Sequence, residues 1–168
     1  MTVHYFAYGS NMARSRMLRR VPEAEDLGSA RLDDWAFQCS KSGVDGSAKA
    51  NLVARPGAEV WGVVYRLPTS RVPGLDLIES GYRRKTVTVA LGDQALRCEV
   101  YVSDRLTDDP TPFDWYRALM IAGAEEHALP EAHLERLRSL PSRPRPAVAA
   151  PDRPAYTADP PAGGGEDR

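Results

Sequence analysis

Two stretches of this sequence hold residue types that do chemistry. One is Tyr8-Gly9-Ser10-Asn11, at the end of an apolar run that starts at Val3; the other is Glu79, closing Leu75-Asp76-Leu77-Ile78-Glu79. In the first, Gly9 tolerates close approach and unusual backbone angles, and Ser10 or Asn11 can cap a helix. A strand feeding a helix through small residues leaves several backbone N–H groups aimed at one spot, where the helix dipole favours a carboxylate or phosphate. From these four residues alone, a capped turn without a ligand reads equally well. In the second stretch Leu75, Leu77 and Ile78 give Glu79 apolar neighbours. If the turn packs them inward, the carboxyl points into a cleft, where desolvation favours the neutral acid and suits it to proton transfer. A solvated glutamate at a helix end is the commoner arrangement.

Other chemistries fit poorly. Of the 3 histidines, His4, His127 and His133, none sits in a triad context, and G-x-S-x-G is absent. His127 reads as a surface residue near a helix end. Cys39 and Cys98 lie far apart in strand-like segments, neither belongs to a C-x-x-C pair, and no histidine stands at ligand spacing. Buried free thiols are therefore expected, rather than a metal site or a bridge. Asp33, Asp34, Asp76, Asp108 and Asp109 read as surface, capping or turn residues.

Around these candidates the chain reads as one strand and one helix, then a run of short strands, then terminal helices. Val3–Ala7 reads as a strand, followed at once by a helical pattern through Met12, Met17, Leu18 and Val21. Residues 22–28 are acidic and turn-like. Strands are expected over 30–40, 48–55 and 60–67, with a polar loop at 41–46 and a turn at Pro56-Gly57. Gly62 inside the third marks a bulge or a close backbone approach. A loop at 68–74 and a helical turn at 75–80 lead to strands 82–91 and 94–102, joined by a hairpin at Gly92-Asp93. Helices are expected over 113–128 and 130–140, the second with Leu134, Leu137 and Leu140 as an apolar stripe. Runs of strands with flanking helices point to an α+β fold, a small, partly closed mixed barrel or a strongly curled sheet.

The totals bound the protein further. At 168 residues the chain is long enough for one well-cored domain, assigned to residues 1–140. From Pro141 to Arg168 prolines and glycines dominate and large apolar residues nearly vanish, so a disordered tail is expected. A formal net charge of −1 gives no electrostatic case for nucleic acid. With no apolar run of membrane-spanning length and no signal-peptide pattern, the expectation is a cytoplasmic protein without a membrane partner.

Four features coincide in order: Y-F-A-Y-G-S-N-M from Tyr5, V-W-G-V-V-Y from Val60, L-D-x-x-E from Leu75 and G-A-x-E-x-x-L-P-x-x-x-L-x-x-L from Gly123. Together they resemble the γ-glutamylcyclotransferase superfamily, the AIG2-like group, over roughly Val3 to Leu140. The glutathione-specific relatives show a G-Y-G-S-L-like first loop, from which Asn11 departs. The resemblance implies a mixed β-barrel with surrounding helices and a cavity at one end. It implies conversion of a γ-glutamyl amide to 5-oxoproline with release of the free amine, without metal or organic cofactor. Glu79 falls on the catalytic glutamate; Tyr8, Gly9, Ser10, Asn11 and Tyr82 fall on the substrate-binding positions. The partner is thus a small γ-glutamyl molecule, and a homodimer is compatible with the likeness. The stretch Glu79-Ser80-Gly81-Tyr82 is shorter than in the family, so the cavity rim is expected to differ and to admit a bulkier leaving group. Turnover of γ-glutamyl amino acids, biosynthetic deprotection of an amine metabolite, and a non-catalytic module binding a γ-glutamyl ligand or a protein all remain open at this point.

Overall fold

A computed structural model of the chain describes residues 1–147. The β-branched and aromatic runs form five strands: β1 (Thr2–Ala7), β2 (Glu25–Ser42), β3 (Ala48–Pro68), β4 (Arg83–Leu91) and β5 (Gln94–Val102). They close into a barrel in the order β1-β3-β2-β4-β5. Every ladder is antiparallel except that of β1 beside β5, which is parallel. The expected α+β mixed barrel is what forms, closed by short junctions at Tyr5–Glu99 between β1 and β5 and Arg31–Ala90 between β2 and β4.

The main departure from expectation lies in β3. The two strands predicted on either side of Pro56-Gly57 are one strand of 21 residues. Its ladder with β2 passes from Trp35–Ala54 to Asp33–Glu59, leaving the proline, which has no N–H to offer, in the unpaired stretch. Asp34 opposite adopts φ 64°, Gly57 adopts φ 78°, and the Asp34 Oδ1 accepts the Gly57 N–H at 2.9 Å. Turn residues here build a bulge and not a reversal. Similarly, β2 begins at Glu25, within the stretch read as an acidic turn.

Four helices pack around the barrel: α1 (Arg14–Arg20), α2 (Val72–Ile78), α3 (Asp114–Glu126) and α4 (Glu131–Ser139). The helix expected directly after Gly9 is interrupted. Ser10–Met12 form a 3-10 turn, Ala13 is extended, and α1 starts afterwards. Neither Ser10 nor Asn11 caps a helix through its side chain. A turn this short carries little of the dipole expected at that site.

Three close approaches hold this loop in place. A Cβ on Gly62 would stand 2.4 Å from the Ala7 carbonyl oxygen, one on Gly9 2.9 Å from the Ala50 Cβ, and one on Gly123 2.5 Å from the backbone of Met12 and Ala13. The Tyr65 hydroxyl adds a hydrogen bond to the Met12 carbonyl at 2.9 Å. So the glycine of the Gly123-Ala124 motif lets α3 touch the loop that β1 delivers.

Both cysteines are buried free thiols, each pushed up to about 12 by burial, and they serve as core residues. His127 is not a surface residue: its side chain is 4% exposed, with Nδ1 2.7 Å from the Gly123 carbonyl and Nε2 2.8 Å from Asp26. Of the expected α4 stripe, Leu134 and Leu137 are buried and Leu140 partly so. The expected tail begins at Pro141, yet Arg143 still bridges to Phe113 and exchanges backbone hydrogen bonds with Pro112 and Asp114. Residues 148–168 lie outside the described residues. Among those described, no helix is long and apolar enough to cross a membrane.

Candidate active site

Because β1 and β5 run parallel, their C-terminal ends share one mouth of the barrel, where β3 and β4 begin. A narrow chamber opens there, lined by Tyr5, Tyr8, Gly9, Ser10, Asn11, Ala50, Glu79, Tyr82, Tyr101 and Tyr116. A second, larger outer chamber adjoins it and shares Ser10, Glu79, Tyr82 and Tyr116. Glu79 therefore stands at the junction of the two.

Glu79 reaches this position as the residue that ends α2, with φ −83° and ψ 37°, outside the helical region. Its surroundings are not the aliphatic ones expected from its neighbours. Leu75 is buried, but Leu77 is 81% exposed and Ile78 is exposed as well. The carboxylate is instead enclosed by polar partners. Its Oε1 accepts from Arg20 Nη1 at 2.7 Å and from Asn11 Nδ2 at 2.8 Å, and the side chain is 13% exposed. One oxygen is fixed, and the other, Oε2, carries no protein hydrogen bond among the described residues.

Asn11 spends its side chain on this arrangement. Its Nδ2 also donates to the Tyr5 hydroxyl at 3.0 Å, and its Oδ1 accepts from Arg20 at 2.9 Å. With both amide protons engaged, Asn11 orients Glu79 and has no side-chain donor left for a ligand. Gly9 and Ser10 line the inner chamber, and Gly9 is packed so closely on Ala50 and the Tyr116 hydroxyl that a side chain would not fit.

The five tyrosines of the inner chamber divide by what their hydroxyl protons do. Tyr8 donates to the Tyr101 carbonyl at 2.5 Å, Tyr82 to the Ala50 carbonyl at 2.7 Å, and Tyr101 to Asp76 at 2.7 Å. These three are committed to the wall. Tyr5 accepts from Asn11 and Tyr116 from the Ala50 N–H, with the Ser10 side chain also beside the Tyr116 hydroxyl, and among the described residues neither phenol donates to a backbone carbonyl or a carboxylate. Burial is the main cause holding all five phenols well above the usual tyrosine range, and they remain neutral donors.

The structure thus brings Tyr8, Gly9, Ser10, Asn11, Glu79 and Tyr82 together, as the sequence reading anticipated. It adds Tyr5, Tyr101, Tyr116 and Arg20, which that reading did not single out. Arg20 lay unmarked in an arginine-rich helix. Its one usable signal is the i, i+4 spacing with Arg16, which puts both on the α1 face that lines the outer chamber.

Known proteins point the same way. Residues 59–137 match the model of the AIG2-like family. The γ-glutamylcyclotransferase of Mus musculus is 32% identical over 149 residues, spanning 83% of this chain and 79% of that protein. The γ-glutamylcyclotransferase of Homo sapiens is 32% identical over 146 residues, spanning 81% of this chain and 77% of that protein. A solved γ-glutamyl cyclotransferase structure superposes with a TM-score of 0.79 at 29% identity, covering 89% of this chain and 93% of that one. The five-stranded barrel, the loop pressed against α3 and the glutamate at the chamber junction are thus carried by a chain that belongs to the γ-glutamylcyclotransferase family.

Proposed function

We propose that this protein is a γ-glutamyl cyclotransferase, cyclising a γ-glutamyl amide to 5-oxoproline and releasing the amine, with Glu79 as general base and then general acid. The observation that carries the reading is the Glu79 carboxylate at the junction of the chambers, Oε1 held by Arg20 and Asn11 and Oε2 without a hydrogen bond among the described residues.

The nucleophile is the substrate's own α-amine. It attacks the γ-carbonyl carbon through a five-membered ring, so no serine or cysteine of the enzyme is called for. Holding the two ends in attack geometry can contribute effective molarities on the order of 10⁵ M or more. The narrow inner chamber, with wall tyrosines fixed by their own hydrogen bonds, suits that task. Backbone N–H groups of Gly9 to Asn11 receive the α-carboxylate, and Tyr8 and Tyr82 shape the cavity through their rings. Glu79 Oε2 takes a proton from the α-ammonium. The amine attacks, negative charge builds on the carbonyl oxygen, and Tyr5 and Tyr116 are placed to donate to it. Such donors act most strongly where water is excluded. Glu79 then returns the proton to the leaving nitrogen as the C–N bond breaks, and the second proton still on the ring nitrogen passes to the released amine through the same carboxylate, leaving neutral 5-oxoproline and an ammonium.

Product analysis in H₂¹⁸O tests the reaction class. Cyclisation gives 5-oxoproline with no solvent oxygen, whereas hydrolysis gives glutamate carrying the label. Labelled glutamate, or ligand-induced stabilisation with no product from any γ-glutamyl amide, would replace this reading with a hydrolase or a binding module.

A further inference from the structure

The outer chamber has a charge composition that the reaction itself does not explain. Arg16, Arg20, Lys41 and Lys49 line it, and Glu79 is the one carboxylate among its lining residues. Two of these cations are paired: Arg20 with Glu79 at 2.7 Å and Lys49 with Asp45 at 2.8 Å. Among the described residues Arg16 and Lys41 have no carboxylate within ion-pair distance.

Lys41 is the more telling of the two. It is 6% exposed, and its Nζ donates to one acceptor, the Ser80 carbonyl at 3.2 Å, while resting 4.8 Å above the Tyr82 ring. An ammonium has three protons to place, and burying one without a counter-charge is costly. Burial pulls Lys41 below the usual lysine range, with Glu79 offsetting part of the shift. Arg16 repeats the pattern: its buried Nε lacks a partner, and its guanidinium stacks 5.5 Å over Trp115. Two uncompensated cations thus face the space beyond Glu79, where the leaving half of a substrate must lie once the glutamyl half fills the inner chamber.

We propose that the outer chamber selects a leaving amine that carries two negative charges, an amino acid with an acidic side chain, and that Lys41 is the specificity-determining residue. The same charges repel a polycationic amine, so they argue against deprotection of such a metabolite as the role. This inference rests on the cyclotransferase reading for the direction in which substrate lies.

The test uses γ-glutamyl-glutamate and γ-glutamyl-glutamine, which differ in charge at nearly constant shape. Turnover is measured with the full-length protein, and equilibrium binding of both with the Glu79→Gln variant, where turnover does not interfere. The expected result is about tenfold or greater preference for γ-glutamyl-glutamate in kcat/KM and in Kd, the size of one well-placed charge pair. Lys41→Gln, which keeps a donor for the Ser80 carbonyl, is expected to collapse that preference, Lys41→Arg to restore most of it, and added salt to weaken it. Arg16→Gln supplies a second variant should Lys41→Gln melt early. Equal turnover and binding of the two substrates would overturn the subsite and leave the cyclotransferase reading standing. Charge-selective, Lys41-dependent binding with no 5-oxoproline would do the reverse. A preference that survives Lys41→Gln in the folded variant, or survives Arg16→Gln where Lys41→Gln does not fold, overturns the proposal.

Discussion

The two chambers that meet at Glu79 are built by opposite means. The inner one is neutral and internally satisfied: Tyr8, Tyr82 and Tyr101 donate into the wall, and only Tyr5 and Tyr116 donate to no carbonyl or carboxylate among the described residues. The outer one is larger, lined by four cationic side chains, and leaves Arg16 and Lys41 without carboxylate partners among the described residues. A wall whose polar groups are already bonded to each other holds a fixed shape, which suits the constant γ-glutamyl half of a substrate. A chamber with unpaired charge responds to whatever charge enters, which suits the variable half. Chemistry accordingly belongs to the inner chamber and selectivity to the outer one.

The sharpest way to break this division is within the inner chamber. Tyr116→Phe removes one of the two phenolic protons not committed to a carbonyl or carboxylate and is expected to lower kcat by about 10²-fold to 10³-fold with a smaller change in KM, the usual cost of one oxyanion donor. Its steady-state kinetics check this. Equal losses for charged and neutral leaving groups would confirm that the effect lies on the glutamyl side.

A control far from both chambers comes next in size. His133, buried on α4 beside Phe37, has no hydrogen-bond partner on either ring nitrogen, and burial pushes its pKa from 6.5 down to about 4. The unfolded chain protonates this ring at a higher pH than the folded one. Stability is therefore full above pH ~6.5 and falls as pH drops toward 4, by about 3 kcal/mol if the whole shift is realised. Chemical denaturation at stepped pH measures it. His133→Leu is expected to remove that part of the acid slope without altering the discrimination between substrates.

Gly9→Ala tests how tightly the loop is pressed into the inner chamber. Its new Cβ would meet the Ala50 Cβ at 2.9 Å and the Tyr116 hydroxyl at 3.2 Å, shifting either the loop or the phenol. A displacement of this kind is expected to cost up to about 10²-fold in kcat/KM. Smallest is Tyr8→Phe, which deletes a hydroxyl already committed to the Tyr101 carbonyl. The expected loss is about 1 kcal/mol of stability, read from a melting curve, with kcat changed far less than by Tyr116→Phe. Similar kinetic losses for the two tyrosines would erase the distinction between wall and donor.

Much of the fold was legible because its signals are local. Period-two runs gave β1, β4 and β5, and Gly92-Asp93 marked their hairpin. Where a turn signal misled, at Pro56-Gly57, the missing information was the partner strand, since a bulge and a reversal use the same residues. Tyr8 to Asn11 and Glu79 were legible as types and spacings, but their linkage was not. That Asn11 orients Glu79, and that Arg20 shares the task, depends on α1 and α2 meeting across the barrel mouth. Lys41 and Tyr116 carried no sequence signal at all, for a lysine ending a strand and a tyrosine in a helix have ordinary fates on the surface and in the core. Glu79 was expected in an apolar cleft; it stands among phenols and a guanidinium because Leu77 and Ile78 face outward.

In the proposed mechanism one carboxylate at the junction moves the proton between the two halves of the substrate. Single-turnover release of 5-oxoproline by the wild-type protein and by Glu79→Gln, with folding verified by melting temperature, tests it most directly. The glutamine keeps the shape and an acceptor for Arg20 but cannot take the proton. The account expects a loss of about 10²-fold to 10⁴-fold or more in the chemical step with substrate binding retained. A folded Glu79→Gln variant that releases 5-oxoproline at the wild-type rate would contradict it.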